Sequence, residues 1–306
     1  KRRARNLEVN RMPNPRFLQT AERWMNKDIP AEKTKPTKPK TSQVVGTNLV
    51  FPDSVPEIYR FSYDGQHKEF YQEVIAKANE LFRGTQAEIP IGKSGEVQNM
   101  YSLKRFRLIT AIYNNPQLRN HNLWPITPTQ SEHLLKAGVL TNNEDYWEGL
   151  GLILYDRSES GENPQEAKAL YDSLKKHRQD LGLSASDLEQ RLIIVSPGLE
   201  KDSSMPHGVK PIILPGITQA YTHEVLEEVG EDPNFDGYGL KGGLPLIKQL
   251  DKGDRTLYTP DETEDIGLRV LFRDRYSDLG TRDWSLVGPD ANGWVNFAPQ
   301  ARTPKK

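Results

Sequence analysis

Apolar side chains recur at helical spacing in several stretches of the chain, and this periodicity predicts amphipathic helices. The clearest pattern spans residues 67–83, where apolar positions fall three or four residues apart on one helical face. The same reasoning predicts further helices over 101–113, 129–137, 164–181 and 218–229. For the helix 129–137, Pro128 or Thr129 occupies the expected cap position, and Gly138 is expected to end the helix.

Short apolar runs bounded by Pro and Gly predict β-strands between these helices. The segment 230–265 is rich in Gly and Asp and is predicted to be mostly loop, apart from PLIKQL at 245–250. Helices and strands together indicate an α+β protein. The predicted strands lie within residues 44–51, 57–66, 149–156, 191–196, 210–214, 267–273 and 293–298.

Residues 1–45 differ in composition from the rest of the chain. The first 40 residues hold twelve Lys or Arg against four Asp or Glu, a net charge of +8. Because the whole chain has a formal charge of −1, the other 266 residues carry −9. Lys and Pro at this density favour a flexible basic arm. Contact of the arm with nucleic acid is one interpretation, but a solvated linker or oligomer-contact arm fits better, because aromatic side chains are not interleaved with the cations.

Composition excludes several kinds of site. The chain has no cysteine, which excludes disulfides, cysteine metal sites and a thiol nucleophile. No apolar run approaches the roughly 20 residues of a membrane helix, so we expect no membrane span. The first residues lack the basic–apolar–small pattern of a signal peptide, and the compartment, including a cell or virion surface, stays open.

The search for metal or phosphate chemistry gives weak signals. The chain has six histidines, none in an HxH or HxxxH pair, and the GLKGGLP loop at 239–245 lacks the Lys-Ser/Thr of a phosphate-binding loop. Asp232, Asn234 and Asp236 alternate like calcium ligands, but the closing glutamate is missing, so an Asx-rich turn is preferred. We expect no cofactor and no metal. The histidines are His67, His121, His133, His177, His207 and His223.

An enzyme is the alternative function at this stage. The runs ending near residues 155 and 196 could form strand edges of an α/β sheet, where ligands collect. Asp156, Ser196 and His207 would then be the candidate site of a soluble hydrolase or transferase. No nucleophile elbow, GxGxxG or paired-carboxylate motif accompanies them, and a non-enzymatic binding protein is the preferred interpretation.

The segment 267–298, GLRVLFRDRYSDLGTRDWSLVGPDANGWVNFA, favours ligand binding. Polar, Gly and aromatic residues alternate with sparse apolar anchors, and a period of two places one set on one face of an extended chain. Tyr and Trp provide rigid contact area, while Ser, Gly and Asn adapt their hydrogen bonds. An irregular surface hairpin is the plainer alternative. The candidate ligand-binding residues are Asp274, Tyr276, Asp278, Gly280, Asp283, Trp284, Ser285, Gly288, Asp290 and Asn292.

This segment resembles the variable proteins of diversity-generating retroelements, in particular the archaeal and candidate-phylum bacterial type. The resemblance is carried by GLRVLFR at 267–273, Leu279, Arg282, Leu286 and the Ala291-Asn292-Gly293 run. Upstream segments are similar to the same group, and the likeness extends from about residue 50 to the end. These segments are NHNLWPITPTQSEHLLKAG (120–138), DLEQRL (187–192), MPHGVKPIILPG (205–216) and TEDIGLRVLFR (263–273).

In that family an error-prone reverse transcriptase copies a template repeat and makes errors at its adenines. The altered copy replaces the variable repeat of the gene, so codons that contain adenine become variable. Nine of the ten candidate residues are reachable from the Asn codon AAC by adenine changes alone, and Trp284 is the exception. The resemblance implies a C-type-lectin-like domain over 46–306, with paired terminal strands, an α/β insertion at about 149–229 and a variable region at 267–298. The chain lacks the EPN and WND sugar motifs. The resemblance therefore implies an unidentified macromolecular or cell-surface ligand rather than a defined sugar.

Overall fold

The structure is a computed structural model. The chain divides after Gln43 into two units, and every described residue lies in the second unit, Val44–Lys306. The predicted arm 1–45 therefore lies outside the described residues. The described residues are 49–50, 58–61, 65–89, 100, 102–140, 148–157, 160–227, 230, 232–261, 266–274, 276–283, 286 and 295–302.

Four of the five predicted helices are confirmed, with small shifts at their ends. The first buries one apolar stripe, which includes Phe70, Val74 and Ala78. The predicted helix 164–181 ends earlier, at Lys176, and continues as turns that close at Gly182 in the left-handed region. The helices are α1 (Lys68–Leu81), α2 (Ser102–Asn114), α3 (Pro116–Asn120), α4 (Pro128–Lys136) and α5 (Pro164–Lys176).

The cap of α4 differs from the prediction by one residue. Thr127, rather than Pro128 or Thr129, caps the helix, and its side chain accepts a hydrogen bond from the Gln130 backbone N–H. Gln130 returns a bond to the Thr127 N–H, which completes a capping box. Pro128 takes the first helical position, where its missing N–H costs nothing.

Seven strands form one large mixed sheet in the order β8-β5-β4-β11-β12-β10-β9, with β10 and β12 parallel and the other pairs antiparallel. The described residues form β1 (Leu49–Val50), β2 (Tyr59–Arg60), β3 (Leu123–Pro125), β4 (Glu148–Leu154), β5 (Leu192–Val195), β6 (Gly198–Lys201), β7 (Val209–Ile212), β8 (Gln219–Thr222), β9 (Asn234–Phe235), β10 (Arg255–Tyr258), β11 (Leu268–Arg273), β12 (Leu279–Asp283), β13 (Asn296–Pro299) and β14 (Ala301–Arg302).

The segment 149–229 belongs to the centre of this sheet. Its strand β4 pairs on one side with β5 and on the other with β11 from the carboxyl-terminal segment. The fold is therefore α+β, with a large mixed sheet that the middle of the chain helps to build. That 149–229 is an insertion within a C-type-lectin-like domain stays a prediction, and the strands of this segment form part of the large sheet.

The predicted helix 218–229 is wrong. Residues 219–222 form strand β8, and Glu224–Glu227 form a short 3-10 helix. Pairing with β5 determines this outcome, since Ala220 turns inward opposite Ile194 while Gln219 stays exposed. A short apolar pattern cannot distinguish the two conformations, and tertiary pairing decides between them.

The two ends of the described region meet in paired strands. β1 pairs antiparallel with β14, and β13 lies between β2 and β3 in a three-stranded sheet. Within this small sheet, Phe297 lies against the rings of Phe61, Phe70 and Tyr71. The end of the carboxyl-terminal segment is therefore anchored by Phe297 against the first helix.

Apolar residues fill both faces of the large sheet. Along β5, Leu192 and Ile194 enter one core with helices α1, α2 and α5, while Ile193 and Val195 enter a second core on the other face. Loop residues Leu244 and Leu250 cover the second core. No helix in the described part of the chain is long and apolar enough to cross a membrane.

One buried carboxylate joins the two sheets. Glu148, at the start of β4, is fully buried and accepts hydrogen bonds from Arg105 of α2 (3.1 Å) and from the Asn296 backbone N–H of β13 (3.0 Å). Arg273, the last residue of β11, lies 3.6 Å from the same carboxylate and is 1% exposed. A buried charge needs such partners, because desolvation would otherwise exclude it.

We expect the Glu148→Gln substitution to lower the free energy of unfolding by about 3–5 kcal/mol, because two buried guanidinium groups would lose their counter-charge. Urea unfolding at neutral pH measures this. Glu189→Gln is the control, since Glu189 pairs with Arg157 at the surface with its side chain 67% exposed and exposed pairs contribute little. Equal losses in the two variants would contradict a structural role for the Glu148 network.

Candidate ligand-binding surface

The carboxyl-terminal segment forms a tight turn between β11 and β12. The Asp274 carboxylate accepts hydrogen bonds from the backbone N–H groups of Tyr276 (2.8 Å) and Asp278 (3.0 Å). The Asp274 backbone N–H donates to the Asp278 carbonyl oxygen (3.1 Å) and the Ser277 N–H to the Asp274 carbonyl oxygen (3.1 Å), which closes the turn, and Ser277 takes a left-handed conformation with φ 66°. The turn is thus stabilised by an aspartate side chain that replaces water as the acceptor.

Asp278 attaches this turn to the neighbouring strand. Its carboxylate accepts a hydrogen bond from the Thr256 backbone N–H of β10 at 2.6 Å. Asp274 and Asp278 are each 8% exposed. Burial raises the pKa of the Asp274 carboxyl above its ordinary range, and the nearby Asp278 charge adds to this shift.

Three of the ten candidate residues are placed differently from the expectation of a shared exposed face. Asp274 and Asp278 are buried as acceptors for backbone N–H groups, because the chain turns here instead of continuing as an extended strand. Gly280 is also buried, and a Cβ at that position would overlap the Phe272 ring. These three residues support the backbone and do not form the expected display.

Tyr276 is the candidate residue that the structure places at the surface. It is 59% exposed, the highest value among the exposed large hydrophobic side chains of the described residues. The backbone of Asp283 lies in β12. The other five candidates, Trp284, Ser285, Gly288, Asp290 and Asn292, lie outside the described residues.

Beside this turn lies a polar surface that the sequence pattern did not assign. The Arg282 guanidinium lies 4.5 Å from the centre of the Tyr258 ring and forms an ion pair with Asp232 at 2.8 Å. Burial raises the pKa of the Tyr258 hydroxyl, and the charges of Asp278 and Asp274 contribute. No local signal connects these residues, because Asp232 and Arg282 are 50 positions apart.

Two of the three residues that alternate like calcium ligands, Asp232 and Asn234, have protein partners in the structure. Asp232 accepts a bond from the Thr259 backbone N–H (2.9 Å) and pairs with Arg282, and the Asn234 side chain accepts from the Thr256 hydroxyl (3.3 Å). Within the described ranges, no three His, Asp or Glu side chains are arranged to hold a metal ion.

Exposed apolar side chains occur on the turn and on two segments that hydrogen bonds link to it. The described residues include five exposed large hydrophobic residues, and four of them lie on the turn, on the loop 236–249 or directly after α4. A contact between Glu132 of α4, Arg255 of β10 and the turn joins these segments. The four are Val139, Leu240, Ile247 and Tyr276.

The alternative site, Asp156 with Ser196 and His207, does not assemble from its two loops. In the antiparallel β4–β5 pair, Leu154 faces Leu192 and Gly151 faces Val195, so Asp156 and Ser196 follow opposite ends of the pair, roughly 20 Å apart at the usual strand rise. The Asp156 carboxylate accepts from the backbone N–H groups of Ile266 and Gly267.

The ring nitrogens of His207, the third residue of the alternative site, lie near side chains other than those of Asp156 and Ser196. One ring nitrogen lies 3.2 Å from the Gln86 side-chain oxygen, and the other lies 3.7 Å from Glu166. Burial raises the pKa of the Glu166 carboxyl, which is 1% exposed. His207 therefore joins the β6–β7 loop to α5 and to the end of α1.

The Asp274 carboxylate can be tested by comparing Asp274→Ala with Asp274→Asn. Alanine removes the acceptor of two backbone N–H groups, and we expect a loss of about 1–3 kcal/mol in the free energy of unfolding. Asparagine keeps an acceptor oxygen, so its cost at neutral pH should be much smaller. Urea unfolding measures both, and equal losses would contradict the role of the side-chain oxygen.

The same variants predict a pH dependence. Because folding raises the pKa of Asp274, the stability contributed by the protonated carboxyl is present below its ordinary pKa of 3.8 and is lost as the pH rises through the higher folded-state value. Asparagine cannot ionise. As the pH rises above about 4, the difference in stability between Asp274→Asn and the unsubstituted protein should therefore shift in favour of the variant, and a difference that is constant with pH would contradict the shift.

Comparison of this chain with protein-family models, with curated proteins and with solved structures finds no match. Similarity to known proteins therefore assigns neither a family nor a fold. A function has to be argued from the residues of the surface itself.

Proposed function

We propose that this chain is a non-enzymatic ligand-binding protein that presents its recognition surface on the carboxyl-terminal segment 267–298. One observation carries the proposal: Tyr276 stands exposed on a turn whose own backbone and aspartate side chains satisfy its hydrogen bonds. The Asp274 carboxylate accepts from the backbone N–H groups of Tyr276 and Asp278, so these bonds of the turn do not use the tyrosine ring. A rigid aromatic residue on a fixed backbone is the usual anchor of a binding surface.

Within the α+β class, we propose that the fold is a C-type-lectin-like domain. Its main support is the pairing of the first and last described strands, β1 with β14 and β2 with β13, which the resemblance implies. Such pairing brings both ends of the domain together on one side. It leaves the segment between β11 and β13 attached at each end to a strand of a sheet.

We further propose that the surface is diversified by a retroelement, as the resemblance implies. The hydrogen bonds then restrict which positions can change. Asparagine, aspartate and serine all carry an oxygen that can accept the bonds made by Asp274, whereas Gly280 leaves no space for a side chain. Diversity should therefore concentrate at Tyr276 and in the residues after β12.

The ligand class is a macromolecule or a cell surface. Tyr276 and Leu240 are exposed on two segments that the Glu132–Arg255 pair joins, and this favours a partner that buries apolar area. Hydroxyl-rich sugars need converging polar groups or a bound metal ion, and the described residues beside Tyr276 use their carboxylates on backbone N–H groups instead.

The retroelement proposal predicts a second copy of the coding sequence. We expect the DNA flanking the gene to contain a near-copy of the codons for 267–298 that differs at adenine positions, next to a gene for a reverse transcriptase. Sequencing the flanking DNA tests this. A locus without such a copy and without a reverse transcriptase would overturn the diversification proposal, although ligand binding could still hold.

The display proposal predicts different tolerance at neighbouring positions. Tyr276→Ala should leave the melting temperature within a few degrees, because the exposed Tyr276 side chain contributes little to stability. The display proposal predicts the same when Trp284→Ala is added. Gly280→Asn should lower the melting temperature by about 4 °C or more, because the new side chain displaces the Phe272 ring. Thermal melts of the purified variants measure both.

The opposite result has a clear meaning. If the Tyr276 and Trp284 variants melt far below the unsubstituted protein, these residues belong to the core. If they melt normally and Gly280→Asn does too, the distinction between supporting and displayed positions is wrong. Once a ligand is identified, Tyr276→Ala should weaken its binding while Asp274→Asn should not.

A further inference from the structure

The turn that carries Tyr276 is held from outside by one guanidinium group. Arg255, the first residue of β10, donates from Nε to the Ser277 carbonyl oxygen at 2.7 Å, and Nη2 donates to the same oxygen. Ser277 is left-handed with φ 66°, a conformation that costs a non-glycine residue about 1–2 kcal/mol. Two hydrogen bonds from a charged donor can offset that cost.

Glu132 fixes the orientation of this guanidinium. The Arg255 side chain forms a two-point ion pair with the Glu132 carboxylate, at 2.7 and 2.8 Å, and Glu132 is fully buried in helix α4. The Phe235 ring covers one face of the guanidinium, with the ring centre 4.5 Å from Cζ. A planar fork held in this way aims its other donors in fixed directions.

The same contact fixes a second exposed segment. Arg255 donates to the Gly237 carbonyl oxygen at 3.1 Å, and Glu132 accepts from the Gly239 backbone N–H at 2.7 Å. The loop that begins there carries the exposed side chains Leu240 and Ile247. One ion pair therefore sets the relative position of the loop and the Tyr276 turn.

We infer that Arg255 is a positioning residue of the recognition surface, and that it keeps the Tyr276 turn in its binding geometry without contacting the ligand. The inference rests on the proposed display of Tyr276 for its functional meaning. Arg255 is twelve positions before the segment 267–298, so it belongs to the constant part of the protein. Lysine at this position could not reach Glu132, Ser277 and Gly237 at once, because it has one nitrogen instead of a fork.

The test is Arg255→Lys, with amide hydrogen exchange of the full chain followed residue by residue. We expect the amides of Tyr276 and Asp278 to exchange roughly tenfold faster, while amides of the central strands, such as Leu152 and Ile194, change by less than about twofold. Glu132→Gln should give the same local effect, because it weakens the ion pair that aims the guanidinium. This second variant keeps the test available if Arg255→Lys folds poorly.

Arg157→Lys is the matched control. Like Arg255, Arg157 lies 4.5 Å from the centre of an aromatic ring, here that of Tyr171, and it donates hydrogen bonds to a glutamate and to a backbone carbonyl oxygen. It should leave the exchange of the Tyr276 and Asp278 amides unchanged.

Two results would overturn the inference. Turn amides that stay protected in Arg255→Lys would show that the turn does not depend on this contact. Faster exchange of all strands to the same degree would show that Arg255 serves global stability alone. Because the measurement needs no ligand, it is independent of the proposed function, which the Tyr276 variants and the flanking DNA test separately.

Discussion

The buried carboxylate of Glu148 is the interaction on which the rest of the structure depends. It brings α2, β4, β11 and β13 together through Arg105, Arg273 and the Asn296 backbone. A charge removed from water at this junction is tolerated only when all these partners are in place, so the network fixes how the large sheet meets the small one. Arg273 is followed directly by Asp274, and the candidate recognition turn therefore starts one residue after this buried network.

A second ion pair constrains the other end of that turn. Arg255 holds the Ser277 carbonyl and is itself held by Glu132. The turn is thus fixed at its first residue by the Glu148 network and near its last by the Glu132 pair. Between them the backbone N–H groups of Tyr276 and Asp278 are satisfied by Asp274. The Tyr276 side chain has no part in these bonds, which is why it can point to solvent on a rigid backbone.

Local patterns in the sequence predicted the elements but not their connections. Helical spacing found α1, α2, α4 and α5, and apolar runs found β4, β5 and β11, because both signals come from residues a few positions apart. Residues 219–222 were predicted as helix, since the pairing with β5 that makes them a strand is not visible locally. The pairs Glu132–Arg255 and Glu148–Asn296 join residues 123 and 148 positions apart, and no periodicity marks such partners. The sequence pattern therefore nominated the segment that forms this turn, but it did not identify Glu132 and Arg255, which hold the turn from outside.

The error at Asp274 and Asp278 has a physical cause that bears on the proposed function. A period of two predicts one shared face only while the chain stays extended, and here the chain reverses within five residues. In a turn, short polar side chains next to unpaired N–H groups are drawn inward as acceptors. The residue types that vary easily at a binding surface are thus also those that stabilise turns, and composition alone cannot separate the two roles. Backbone hydrogen bonds can: a position whose oxygen satisfies a buried N–H, such as Asp274, tolerates only other acceptors, whereas the Tyr276 side chain is 59% exposed and burial does not restrict it in this way.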